Sequence, residues 1–265
     1  MPPPIRTPPA QSWPHLELWT RVQEALRALP GYFESKIVIE GMLATDIHTL
    51  NAALGAAIEE QVVTTLNSMR ALWDPERRYT PYTFVRQSQT FPDVLLRKKT
   101  NEGQDILFGI ELKGWYLVAK EGMPNLRFCA TRDACANPDL IVAVPWVLSN
   151  VLSGTPIVHP PYIELARYGA EFRNYHWTEL RRTNTPVHIT IPTDVRPYPQ
   201  KTDRIEDKPA YDEGRNFGRL ARTGMMDPFI KEALEKRLSG IEAREWLKFF
   251  KKFTDRQRNT IIVEE

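Results

Sequence analysis

The sequence predicts an α/β protein of the α+β type, a mixed β-sheet flanked by helices, with additional helical elements toward the C-terminus. Three observations lead there. Asp46 to Trp73 carries apolar residues at helical spacing. Phe91 to Leu96 and Asp105 to Ile110 are short apolar runs on either side of a polar, turn-rich insert, Arg97 to Gln104, and read as two paired strands. Asp139 to Trp146 is a β-branched apolar run suited to a buried strand.

Taken in order, the chain places six of its 22 prolines between Met1 and Pro14 without periodicity, which predicts an extended or disordered arm over 1–14. Leu18, Trp19, Val22, Ala25, Leu26 and Leu29 then mark one face of a helix that stops at Pro30-Gly31. In the next helix the stripe is Leu50, Ala53, Leu54, Ala57, Ile58, Val62, Thr65, Leu66 and Met69. Glu59 borders it, Glu60 lies away from it, and Asp74-Pro75 ends it. Tyr79 to Ser88 reads as a first strand that packs through Tyr82 and Phe84, ahead of the two paired strands. Glu121 to Pro124 is a turn and Cys129 to Ala136 suits a short helix. The order is therefore helix, three strands, helix, strand.

Farther on, Tyr162 to Trp177 is expected to be helical. Val187, Ile189 and Ile191 alternate with His188 and Thr190, as in a strand with one buried face. Pro192 to Pro209 mixes prolines and charges and reads as a boundary or excursion. Asp227-Pro228 starts another helix. Ser239 and Glu242 form a capping box for a last one, with Ala243, Trp246, Leu247, Phe250 and Phe253 inward and Lys248, Lys251 and Lys252 outward.

Composition narrows the class. With 265 residues, 42% hydrophobic and 26% charged, the part after the arm, 15–265, is long enough for one domain with a sizeable core. No run approaches the length of a membrane span and no basic segment precedes an apolar one at the N-terminus, so a cytoplasmic protein without a membrane partner is expected. The two cysteines, Cys129 and Cys135, fall in the same expected helix with no second Cys/His pair to complete a zinc site, and read as free thiols. His159, His176 and His188 show no ligand spacing. The net charge of +2 is unevenly spread: from Arg215 to Arg258, twelve Lys or Arg stand against six Asp or Glu. That suits a surface tracking phosphates, or equally a solvated helix face.

The chemistry concentrates between Thr90 and Trp115. Strand side chains alternate, so Glu111 and Lys113 share a face while Leu112 points to the core. Antiparallel pairing brings Asp93, near the start of one strand, opposite the end of the other. Two carboxylates and an ammonium then converge, a set that can hold Mg²⁺ through oxygen ligands and offset charge on a phosphate.

Pro92-Asp93 opening one strand and Glu111-Leu112-Lys113 closing another resemble the signature of the PD-(D/E)XK nuclease superfamily, and among its members the chain looks most like a type II restriction endonuclease. The likeness covers roughly residues 50 to 147 in order of elements. It implies a restriction-endonuclease-like core over about 46–147 and DNA-recognition and helical elements over about 148–265. It further implies Mg²⁺-dependent, sequence-specific hydrolysis of double-stranded DNA. Asp93 and Glu111 would ligate the metal with the Leu112 carbonyl, and Lys113 would orient the attacking water. Glu59 would be the auxiliary helix carboxylate, with Glu60 second. A palindromic site implies a homodimer.

On this reading Lys98 and Lys99, at a hairpin tip, contact DNA. So do Lys120, Asn125, Arg127 and Arg132 in the stretch after Lys113, and Arg215, Asn216, Arg219 and Arg222 farther on. A structure-specific repair nuclease and a DNA-binding module with an inactive core are the competing readings. The intact Asp, Glu and Lys weigh against the second.

Overall fold

A computed structural model of the chain describes residues 2–87, 90–181, 187–212 and 214–263, with side chains as far as Phe253. The architecture is mixed α/β: one mixed sheet with helices packed against it. The helices Leu16–Ala28 (α1), Leu50–Ser68 (α2) and Arg70–Trp73 (α3) come first, so the stretch from Asp46 to Trp73 breaks at Met69 rather than running as one helix. Five strands follow: Thr83–Arg86 (β1), Val94–Thr100 (β2), Gly103–Tyr116 (β3), Leu140–Leu148 (β4) and Pro156–Val158 (β5). A sixth, Tyr162–Leu165 (β6), leads directly into helix Ala166–Tyr175 (α4).

The sheet order is β1-β2-β3-β4-β5, with β6 also on β4. β1, β2 and β3 form an antiparallel meander, and β3 and β4 run parallel from Ile110↔Leu140 to Tyr116↔Trp146. β5 and β6 both pair antiparallel with β4, at its C-terminal and N-terminal halves. Pro160 and Pro161, between them, lack the N–H a continuous strand would use. β4 is buried along its whole length because both faces are covered. Leu140, Val142 and Val144 belong to the larger core with α1 and α2, while Ile141 and Ala143 meet Ala166, Ala170, Leu220 and Phe128 in a smaller one.

The tertiary structure corrects several local expectations. The insert Arg97 to Gln104 is not a loop: pairing continues to Thr100↔Gly103, past an irregularity at Leu96/Arg97, and Asn101-Glu102 alone make the turn. β3 does not end at Lys113 but runs on to Tyr116, since Trp115 and Tyr116 are themselves core residues. The first strand is shorter than Tyr79 to Ser88; of that span Ser88 lies outside the described residues.

Between β3 and β4 the expected helix Cys129 to Ala136 is a single 3₁₀ turn, Arg132–Ala134. Its backbone groups are engaged elsewhere: Ala130 bridges Glu206, the Cys129 carbonyl accepts the Asp207 N–H, and the Thr131 N–H donates to the Ile205 carbonyl. Cys129 and Cys135 therefore share no helix, and both are free. The parallel crossover is made without an α-helix, and the helix covering that face is α4, after the strand.

Tyr162 to Trp177 divides into β6, α4 and the start of a π-helical turn, His176–Leu180. In the expected strand around Val187 only Ile189–Thr190 (β7) pairs, with Lys208–Pro209 (β8), and Ile191 is exposed rather than buried. The C-terminal part holds helix Asp227–Leu234 (α5), the hairpin strands Arg237–Leu238 (β9) and Ile241–Glu242 (β10), and helix Ala243–Val263 (α6). Ser239 is a hairpin turn residue at φ 50°, not a helix cap, and Phe253 is exposed. The arm has no regular structure, yet it is laid against the body: Arg6 Nη2 donates to Glu164 Oε2 at 2.8 Å and stacks over Tyr168. No helix among the described residues is long and apolar enough to cross a membrane.

Candidate active site

Four of the expected site residues, Glu59, Asp93, Glu111 and Lys113, meet where α2 crosses the β2/β3 pair. Val94 pairs with Ile110, so extending the register by one residue sets Asp93 opposite Glu111. The Leu112 N–H donates to Asp93 Oδ2 at 3.1 Å, and the Asp93 N–H in turn bonds the Glu111 carboxylate. Leu112 points into the larger core, leaving Glu111 and Lys113 on the opposite face. Gly109 creates the room for this arrangement: a Cβ there would collide with the Pro92 ring that carries the chain into Asp93.

Glu59 arrives from the helix. It is 8% exposed, whereas Glu60 points to solvent away from the site, so the choice between them follows from which helix face the sheet covers. Glu59 Oε1 accepts from Lys113 Nζ at 3.0 Å and from the buried Gly114 N–H at 3.1 Å. Arg86 Nη2 lies 3.5 Å from Glu59 Oε2. Gly114 is buried where the helix meets the strand; a Cβ there would stand at ordinary contact distance, 3.5 Å from the Trp146 indole nitrogen and 3.6 Å from the Gly55 carbonyl.

Electrostatically the site is divided. Glu59 has two cations beside it. Asp93 is pushed up to about 6, first by burial and then by the Glu59 charge, with the Leu112 N–H, Lys113 and Arg86 acting in the opposite sense. Burial pushes the Glu111 carboxyl well above its usual range, and the Asp93 charge adds to this. Two neighbouring carboxylates short of positive charge are a donor set that a hard divalent cation would stabilise.

Among the described residues no group of three or more His, Cys, Asp or Glu is arranged as a metal cage. Mg²⁺ characteristically takes one or two carboxylates and completes its octahedron with water and substrate phosphate. Asp93 and Glu111, open to a cleft, fit that demand, and the Leu112 carbonyl is adjacent in the chain. Glu59, held by Lys113, Arg86 and the Gly114 N–H, is better suited to fixing the lysine than to ligation.

The cleft measures about 570 Å³. Asp93, Glu111, Thr90 and Phe91 form one wall, Arg127 to Ala130 a second, and residues between Pro199 and Lys208 a third. Of the expected DNA-contacting residues, Arg127 alone lines it, with Nη2 3.3 Å from Asp212 Oδ2. Lys98 sits on the far hairpin, 3.2 Å from Asp105 Oδ2 and over the Tyr82 ring, with Lys99 exposed beside it. Arg132 pairs with Asp133 and Glu171 on the α4 side. Arg219 Nη1 is 2.9 Å from Glu121 Oε1, and Arg222 bonds Asn216; these three line a smaller pocket of about 160 Å³. Asn125 and Arg215 are exposed outside the cleft, as is Lys120, which has a partner of its own. The expected interface is thus several separate patches.

Sequence reasoning missed two groups here. Arg86, at the end of β1, follows the apolar-polar alternation of that strand and carried no separate signal. The third wall lay in a segment whose prolines and charges gave no periodicity to place it. Compared with family models, curated proteins and solved structures, the chain matches none.

Proposed function

We propose that this chain is a Mg²⁺-dependent endonuclease hydrolysing phosphodiester bonds of double-stranded DNA, built on a restriction-endonuclease-like core and acting at a specific sequence as a homodimer. The observation that carries the reading is the convergence of Asp93, Glu111 and Lys113 on neighbouring strands, with Glu59 reaching Lys113 from the preceding helix. The meander β1-β2-β3 with a parallel β4 supports the core assignment.

In this mechanism Asp93 and Glu111 would hold the cation. Mg²⁺ there supplies Lewis acidity toward a phosphoryl oxygen. Glu59 holds the Lys113 ammonium on the same strand face as Glu111, where it would orient the attacking water and offset charge developing on the phosphate. The water oxygen adds to phosphorus in line, the P–O3′ bond breaks, and the products carry a 5′-phosphate and a 3′-hydroxyl. Burial of the carboxylates strengthens each of these interactions relative to water.

The test is digestion of a long, defined DNA by wild type and Glu111→Ala, with Mg²⁺ and with chelator. Discrete bands from wild type with Mg²⁺ alone support a sequence-specific nuclease and map its site. A smear removes the specificity, and cleavage that survives in Glu111→Ala removes the site. Sedimentation of the protein with and without its cognate duplex checks the dimer.

A further inference from the structure

The segment 199–208 is a built wall of the cleft, fixed at both ends. At its start, the Tyr198 hydroxyl donates to Asp139 Oδ1 at 3.3 Å, and Asp139 is itself held by the Gly109 and Ala136 N–H groups at 2.7 Å each. Near its end, the Thr131 N–H donates to the Ile205 carbonyl at 2.7 Å and the Asp207 N–H to the Cys129 carbonyl at 2.9 Å. Asp207 is fully buried, pairs with the equally buried Arg173, and accepts from Asn174 Nδ2 at 2.8 Å. Arg173 also donates to the Phe128 and Ala130 carbonyls, tying the second wall to the third.

Between these anchors three cations stand out. Lys201, Arg204 and Lys208 line the cleft that holds Asp93 and Glu111, are exposed, and form no ion pair among the described residues. Arg127, on the second wall of the same cleft, is engaged by Asp212, and outside the cleft Lys98, Arg132, Arg219 and Arg222 are engaged by carboxylates. Two acids on this wall face solvent: Asp203, whose carboxylate accepts the Gln200 N–H at 2.9 Å, and Glu206, so the wall carries three cations against two exposed acids. Exposed cations lining the same cleft as a carboxylate site suit a polyanion, and a phosphate backbone lying in the cleft would have them on the wall across from Asp93 and Glu111.

We propose that Lys201, Arg204 and Lys208 form the phosphate-backbone grip that positions the nucleic-acid strand against Asp93 and Glu111. The inference rests on the nuclease reading for the chemistry it serves, but its own content is binding. The grip reads no sequence; it supplies affinity that is uniform across sequences and steep in salt.

The experiment measures binding of a labelled duplex in chelator, where no cleavage occurs, across a salt series. It compares the full-length wild type with Lys201→Ala/Arg204→Ala/Lys208→Ala and with a charge-matched control of exposed cations outside the cleft, Arg27→Ala/Lys36→Ala/Arg77→Ala. The triple variant is expected to lose about two to three from the slope of log affinity against log salt, and about 10²-fold in affinity near physiological salt, while the control stays within about twofold. Single variants Lys201→Ala and Arg204→Ala, each losing about one from the slope, carry the test should the triple fail to fold. A slope unchanged in the triple variant, an equal loss in the control, or a wild type that binds no duplex overturns the proposal. Digestion with Mg²⁺ is scored separately. Grip-dependent binding without any cleavage leaves this inference standing and removes the nuclease reading, whereas Glu111-dependent cleavage with an unchanged slope does the reverse.

Discussion

Glu59 on α2 and Lys113 on β3, 54 positions apart, meet at 3.0 Å, and the same glutamate oxygen takes the Gly114 N–H at 3.1 Å. One side chain thereby joins the helix to the strand and fixes the lysine. Glu59→Ala leaves a buried N–H and an ammonium without an acceptor and should destabilise by about 1–3 kcal/mol. Glu59→Gln retains an acceptor and should cost less. Urea unfolding of the three proteins checks the order, and Lys113→Ala should lower cleavage by about 10²–10³-fold with little loss of stability.

Asp93→Asn and Glu111→Gln each remove a negative charge that the fold holds at a cost. In chelator at mildly alkaline pH both should melt above wild type, by up to roughly 1–3 kcal/mol of stability. Mg²⁺ should raise the Tm of wild type and leave that of either variant unchanged. A variant keeping the full Mg²⁺ response would rule that residue out as a ligand.

Asp93 and Asp139 both stand at about 6, above the ordinary 3.8, and burial is the first cause for each. A carboxyl whose folded pKa is raised takes up its proton before the unfolded chain does, so falling pH favours the folded state between about 6 and 3.8. That stabilisation is complete below 3.8 and lost as the pH rises through about 6. In chelator, the stability difference between Asp93→Asn and wild type should widen as the pH is raised through this window. With Asp93 as the proposed ligand, Mg²⁺ would compete with the same proton, and its affinity should strengthen over the same interval, as isothermal titration at two pH values would read.

Gly109→Ala places a methyl group against the Pro92 ring and 3.3 Å from Asp139 Oδ1. It should destabilise by about 1–3 kcal/mol and blunt the Mg²⁺ response by moving Asp93. Gly55→Ala, on the facing helix, points into open space and should instead stabilise by about 0.5–1 kcal/mol. Equal melting of the two variants would contradict the role given to Gly109.

Asp207→Ala leaves the Arg173 guanidinium buried without its counter-charge and should cost about 3–5 kcal/mol. Arg173→Met/Asp207→Leu, which removes both charges, should recover much of that loss while weakening the hold on the third cleft wall. Denaturation of the two proteins provides the comparison.

What the sequence determined by itself was local and periodic. Leu18, Trp19, Val22, Ala25 and Leu26 follow from spacing alone as the buried face of α1, because a 3.6-residue period leaves one solution. The alternation through Glu111, Leu112 and Lys113 likewise places the two polar side chains on one face of β3. Tertiary structure decided whatever depends on a distant partner. The stretch from Cys129 to Ala136 has a helical pattern but no α-helix, because backbone groups of Cys129, Ala130 and Thr131 are taken by residues 205–207. Glu59 and Glu60 are adjacent in sequence, and only the docking of α2 over Gly114 turns one to Lys113 and the other to water. The segment 199–208 becomes a cleft wall through the buried Arg173–Asp207 pair, whose partners lie 34 positions apart. Long-range pairs of this kind leave no period in the chain, since their geometry exists only once the sheet and its helices have closed around them.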